Sequence, residues 1–134
     1  MKGLKMNRLE LTQYILDCYN VSPDHPWMRY PNYDVFRHED NQKWFALIMN
    51  ITPDKLGLPG TDFLDVVNLK SDPSLISMLL NESGFYPAYH MNKTSWITIV
   101  LDNSVSNEKI KNLLDLSYEA TASETKTKSI KKKL

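Results

Sequence analysis

A chain of 134 residues, 42% hydrophobic and 24% charged, is long enough to bury one core without metals or disulfides and is read as a single domain. Its one cysteine, Cys18, excludes an internal disulfide and a cysteine-rich zinc site; no apolar run approaches the ~20 residues of a membrane span, and "MKGLKMNRLELTQY" has no signal-peptide core, so the expected location is the cytoplasm. Sixteen Lys and Arg balance sixteen Asp and Glu, but five lysines lie in "ETKTKSIKKKL", which leaves residues 1–123 with eleven bases against fifteen acids, a net of −4.

Leu9, Thr12, Ile15, Leu16 and Tyr19 recur at helical spacing and place a first helix at about 7–19. Cys18 falls on or beside its apolar face, where an inert core thiol is the expectation. "NVSPDHPW" follows, with two prolines that no helix interior accepts. In "YDVFRHEDNQKWFALIMNI" two strand-like runs flank the polar turn "EDNQ", which makes a hairpin. The loop "TPDKLGLPG" leads to a third strand, "DFLDVVNLK". In "SDPSLISMLLNESG", Asp72 suits the N-cap, Pro73 the first helical position and Gly84 the C′ position, giving a helix near 73–83. A second hairpin pairs "PAYHM" with "WITIVL". A last helix spans about 106–120, capped by Ser106, with Val105 and Ile110 as a hydrophobic staple and Ile110, Leu113, Leu114 and Tyr118 as its buried stripe.

The expected class is α+β: a two-layer sandwich with a mainly antiparallel five-stranded sheet and helices on one face, in the order α-β-β-β-α-β-β-α. Residues 1–123 form the domain. Residues 124–134 form a lysine-rich tail too poor in apolar residues to offset its ordering entropy, and are expected to be flexible.

Strand alternation assigns the faces. Phe45, Leu47, Met49 and Ile51 are the expected core set of the second strand, with Trp44, Ala46, Ile48 and Asn50 pointing the other way. Ile97, Ile99 and Leu101 are the core set of the last strand. Trp44, Asn50, Asn68, Lys70, Trp96 and Thr98 would then share an open sheet surface, a platform for a ligand or a partner. The plain alternative is that both tryptophans serve packing.

Taken together and in order, "YDVFRHEDNQKWFA", "VVNLKSDP", "GFYPAYHMNKTSWITI" and "IKNLLDLSY" resemble the MmcQ/YjbR family of small bacterial proteins, over roughly residues 8–120. The resemblance implies a fold like that of CyaY and the type III secretion chaperones. It also implies DNA binding, through a proposed double-wing arrangement. The positions that match the family pattern are Arg37 and His38, Lys43 to Phe45, Asn68 to Lys70, Pro87 to Lys93, and Trp96.

No motif for catalysis is present: no Walker A loop, no G-x-S-x-G and no H-E-x-x-H. The three histidines, His25, His38 and His90, are far apart, and neither "DHP" nor "RHED" makes a metal or catalytic site by itself. The expectation is a non-enzyme without cofactor or metal. Two readings remain open. In the first, the protein binds duplex DNA through its hairpin tips, with Arg37, Lys43, Lys70, His90, Asn92 and Lys93 as contacts. Glu39, Asp40 and the mildly acidic domain oppose it. In the second, a protein or a small ligand binds the sheet face carrying Trp44, Asn68, Lys70, Trp96 and Thr98, with no nucleic acid involved.

Overall fold

A computed structural model describes residues 7–123 of the protein, so the tail at 124–134 and its expected flexibility lie outside the described residues. The elements in chain order are α1 (Arg8–Tyr19), β1 (Asp34–Arg37), β2 (Trp44–Ile51), a 3-10 turn (Pro53–Leu56), β3 (Leu64–Lys70), α2 (Pro73–Leu79), β4 (Phe85–Pro87), β5 (Trp96–Val100) and α3 (Asn107–Thr121). The five strands form one sheet in the order β1-β2-β3-β5-β4, with every neighbouring pair antiparallel. The expected class and element order hold, with α3 lying across β2 and β3.

Local chemistry sets the helix ends. Asn7 and Glu10 form a reciprocal capping box at the start of α1. The Asp72 carboxylate accepts from the Ser74 amide, with Pro73 opening α2. Ser106 accepts from the Lys109 amide at the start of α3, and Val105 and Ile110 both enter the core beside it.

Several expectations need correction. The stripe of α1 is Leu11 and Ile15, flanked by Tyr14 and Tyr19, whereas Leu9 is 80% and Leu16 41% exposed. Cys18 is accordingly exposed rather than core. α2 stops at Leu79, and Gly84 comes after a further turn. Its φ of +92° and the approach of Val105 explain the glycine: an added Cβ would lie 2.6 Å from Val105 Cγ2.

A further correction concerns β2. Phe36 pairs with Ala46, but Arg37 pairs with Trp44, so Phe45 is an extra residue in a β-bulge. Phe45, Ala46 and Ile48 therefore join the helix-side core with Leu11, Phe36, Val67, Leu69, Ile97 and Ile99. Leu47, Met49 and Ile51 fall on the opposite face, the reverse of simple alternation. Asn50 turns toward Asp65 instead of joining Trp44, with 2.9 Å between its Nδ2 and the Asp65 carboxylate. The bulge also seats α3: Ser117 Oγ donates to the Phe45 carbonyl and accepts from the Lys70 amide.

The second sheet face is not open to water. Val35, Leu47, Met49, Ile51, Val66 and Val100 form a separate core there, covered by side chains from the 20–33 and 88–95 segments. Asn68 and Thr98 are 0% exposed and Trp96 is 8% exposed. The expected platform residues do share this face, but three of them, Asn68, Trp96 and Thr98, are buried, and Asn68 and Thr98 are hydrogen-bonded to the backbone of the Tyr89 segment.

Candidate functional site

The loop between α1 and β1 is held along the sheet edge. The Asp24 and Val35 backbones exchange two hydrogen bonds of 2.8 and 2.9 Å. The Asp24 carboxylate takes the Arg37 guanidinium at 2.6 Å. Asp34 bridges His25 at 2.8 Å and Arg8 at 3.2 Å. Within the loop, the Tyr30 amide donates to the Trp27 carbonyl and the Tyr33 amide to the Tyr30 carbonyl. Successive i→i+3 turns bring side chains three residues apart to one side. Trp27, Tyr30 and Tyr33 thereby gather over β1 and β2.

The segment joining β4 to β5 folds back over the sheet instead of projecting as a wing. Its anchor is a buried polar network. Asn68 Nδ2 donates to the Tyr89 carbonyl at 2.7 Å, the Tyr89 amide donates to the Thr98 hydroxyl at 3.0 Å, and that hydroxyl donates to Asn68 Oδ1. Lys93 Nζ donates to the Ala88 carbonyl at 2.8 Å. The Asn92 side chain accepts from the Thr94 amide, and its carbonyl accepts from the Trp96 amide. His90 sits at φ +69°, which turns the chain back toward the sheet.

Between these two segments lies a cavity of about 370 Å³, lined by Trp27, Tyr30, Tyr33 and His90 around Trp44, Leu47 and Met91. That volume is at the small end of the ~300–1,000 Å³ usual for ligand sites. The Trp27 ring stands at 85° to Trp44 and at 81° to Tyr33, with centroids 5.6 and 5.9 Å apart. Tyr30 stacks on Tyr33 at 4.7 Å, and His90 meets Tyr33 at 6.2 Å. Burial, then the neighbouring Tyr89 and Tyr30 hydroxyls, raise the Tyr33 pKa above its ordinary value. The tyrosine therefore offers a neutral hydroxyl, and the walls offer π-faces and ring edges with no carboxylate among them.

The residues expected to touch DNA are only partly gathered, and several have structural work. Arg37 is paired with Asp24, Asn92 and Lys93 tie their own loop, and His90 lines the cavity. Lys43 is exposed and Lys70 half-buried. His38, placed by its sequence at a hairpin tip, is wholly buried, with Nε2 at 3.0 Å from the Tyr118 carbonyl and 2.8 Å from Thr121 Oγ1. Among the described residues, no group of three or more His, Cys, Asp and Glu could hold a metal. No helix there is long and apolar enough to cross a membrane.

Trp44, as a sheet-face residue, and His90, as a nucleic-acid contact, were the cavity residues legible as candidates. Trp27, Tyr30, Tyr33 and Met91 were missed because loop side chains follow no period. The available signal was the aromatic density of "PWMRYPNY", three rings and two prolines in eight residues.

The YjbR family model matches residues 16–120. The chain belongs to the YjbR family. Every cavity residue lies within the matched segment. Among its relatives in the family, the protein YyaQ of Bacillus subtilis is 41% identical over 116 residues, 87% of this chain and 98% of that protein. YbdF of Escherichia coli O157:H7 is 30% identical over 95 residues, 69% of this chain and 66% of that one. A crystal structure of a Pseudomonas syringae protein, 44% identical, superposes with a TM-score of 0.86 over 87% of this chain and all of that one. The YjbR-family fold is thus seen experimentally in a close relative.

Proposed function

We propose that this protein is a non-catalytic binding module whose working surface is the aromatic cavity on the second sheet face, and that its ligand is a small molecule with a flat apolar body. One observation carries the reading: four aromatic side chains from loop and strand converge on a concave space large enough for a ligand. Rings that only packed a core would close on one another. Both flanking segments are fastened by buried or charge-assisted hydrogen bonds, so the walls are held in place before a ligand arrives, which lowers the entropic cost of binding.

Duplex-DNA binding through the hairpin tips has less support. Residues 7–123 hold nine Lys and Arg against fifteen Asp and Glu, a net of −6, where a phosphate-binding domain is expected to be basic. Arg37, Asn92 and Lys93 already serve the fold.

Calorimetric titration with indole, at low and high salt, tests the reading. Binding that barely responds to salt and is lost in Trp44→Ala supports it. Affinity for duplex DNA that falls steeply with salt, together with no response to indole, overturns it.

A further inference from the structure

The domain as a whole is acidic, but the charge beside the cavity has the opposite sign. Register places Arg37 opposite Trp44 on β1 and β2, and Lys70 opposite Trp96 on β3 and β5. Both pairs lie at the end of the sheet where the cavity has its Trp44 wall; Lys70 follows Asn68 on the Trp44 face by alternation, whereas Arg37 lines a separate polar depression with Asp24 and Tyr19. Lys43 directly precedes Trp44, and Arg29 lies between the wall residues Trp27 and Tyr30.

The acids nearby are paired or face elsewhere. Asp24 holds Arg37, and Asp34 holds His25 and Arg8. Asp40 accepts from Ser123, beyond the end of α3. Glu39 lines a separate, polar depression with Tyr19, Asn20 and Gln42. Among the described residues, Arg29, Lys43 and Lys70 make no ion pair. The unpaired charge around the aromatic walls is therefore positive.

We infer that the cavity is a site for a small aromatic carboxylate: the ring enters between Trp27, Trp44 and Tyr33, and the carboxylate stays at the mouth beside Lys43 and Lys70. This rests on the binding-module reading and adds to it the sign of the ligand's charge. A cationic ligand would meet three unpaired bases and no free carboxylate. A neutral aromatic would use the walls and leave the charge idle. Keeping the carboxylate at the mouth avoids the large penalty of burying it, while a charge-assisted hydrogen bond to a lysine strengthens the contact.

The test is calorimetry with 2-naphthoate, its neutral isostere 2-naphthamide, and the cation 2-naphthylmethylammonium, on the full chain at low salt. The expected order is naphthoate first, by about tenfold over naphthamide, and the cation last. The double variant Lys43→Ala/Lys70→Ala should remove the preference for naphthoate while leaving naphthamide affinity unchanged. Both positions are at least partly exposed, and a thermal melt checks that the variant is folded. Equal or tighter binding of naphthamide or of the cation overturns the inference and leaves the binding-module reading standing. No heat from any of the three overturns both. An oligothymidylate that binds more tightly than naphthoate through the same lysines overturns the inference in favour of a nucleic acid.

Discussion

Thr98→Val tests whether the buried Asn68–Thr98–Tyr89 network positions the cavity's second wall. Valine matches threonine closely in shape, so no void opens, and only the hydroxyl is lost. That hydroxyl accepts from the Tyr89 amide at 3.0 Å and donates to Asn68 Oδ1, and both Thr98 and Asn68 are wholly buried. Each orphaned group costs about 1–3 kcal/mol. The loss is therefore about 2–6 kcal/mol if the 88–95 segment stays in place. If the segment lifts instead, water satisfies the orphans, and the global loss is capped at the free energy of local opening. The two cases separate in one experiment. Urea unfolding gives the global change, and amide exchange at Tyr89 reports local opening. In both cases the indole binding proposed for the cavity weakens, because His90 and Met91 ride on the same segment. A variant within about 0.5 kcal/mol of the parent, with Tyr89 still protected and indole affinity unchanged, would refute the reasoning.

Other substitutions probe the frame around the site. Gly84→Ala should destabilise by about 2–5 kcal/mol in a denaturant melt, since it adds left-handed strain to an overpacked contact with Val105. His38→Phe removes the bonds to Tyr118 and Thr121 and should cost about 1–3 kcal/mol, with fraying of the last turn of α3 visible by amide exchange and no change in any nucleic-acid affinity. Burial, then the Asp115 carboxylate and Cys18, hold the Tyr14 hydroxyl well above its ordinary pKa of 10.0. A raised folded value contributes stability that is complete below the unfolded value and is lost as pH rises through the folded one. Tyr14→Phe should therefore flatten the loss of stability on the alkaline side, as read from melts at increasing pH; an unchanged alkaline slope would count against the assignment.

The parts of the fold legible in the sequence are those decided by neighbours along the chain. Asp72–Pro73 and Ser106 marked helix starts because capping is a contact over two or three residues. β3 and β5 kept their expected faces because their ladders carry no irregularity: Ile97, Ile99, Asn68 and Thr98 fall where a period of two places them. β2 escaped because its bulge is defined by a partner strand. Nothing in "KWFALIM" says that Phe45 stands opposite no residue, and one extra residue inverts every later side chain. The phase of α1 was only partly right for a related reason: Ile15 and Tyr19 pack inward as expected, but Leu11 takes the place of Leu9 and Leu16. Leu9/Leu16 and Leu11/Ile15 both make helical stripes, and only the sheet chooses between them. Of the site, the strand residues Trp44, Lys70 and Trp96 could be placed on one face, but the loops that cover that face could not be foreseen. Arg37 looked available for a ligand because its partner, Asp24, is thirteen residues away in a segment without periodicity.

The central claim is that ligands meet this YjbR-family protein at the aromatic cavity and not at the charged turns. A backbone and indole amide NMR map, recorded once with 2-naphthoate and once with a short DNA duplex, tests it most directly. The account predicts that naphthoate shifts the Trp27 and Trp44 indoles and the amides of Tyr33, His90 and Met91, and that the duplex leaves the 38–43 and 92–95 turns unmoved at physiological salt. Shifts confined to those turns on adding DNA, with the cavity silent to naphthoate, would contradict it.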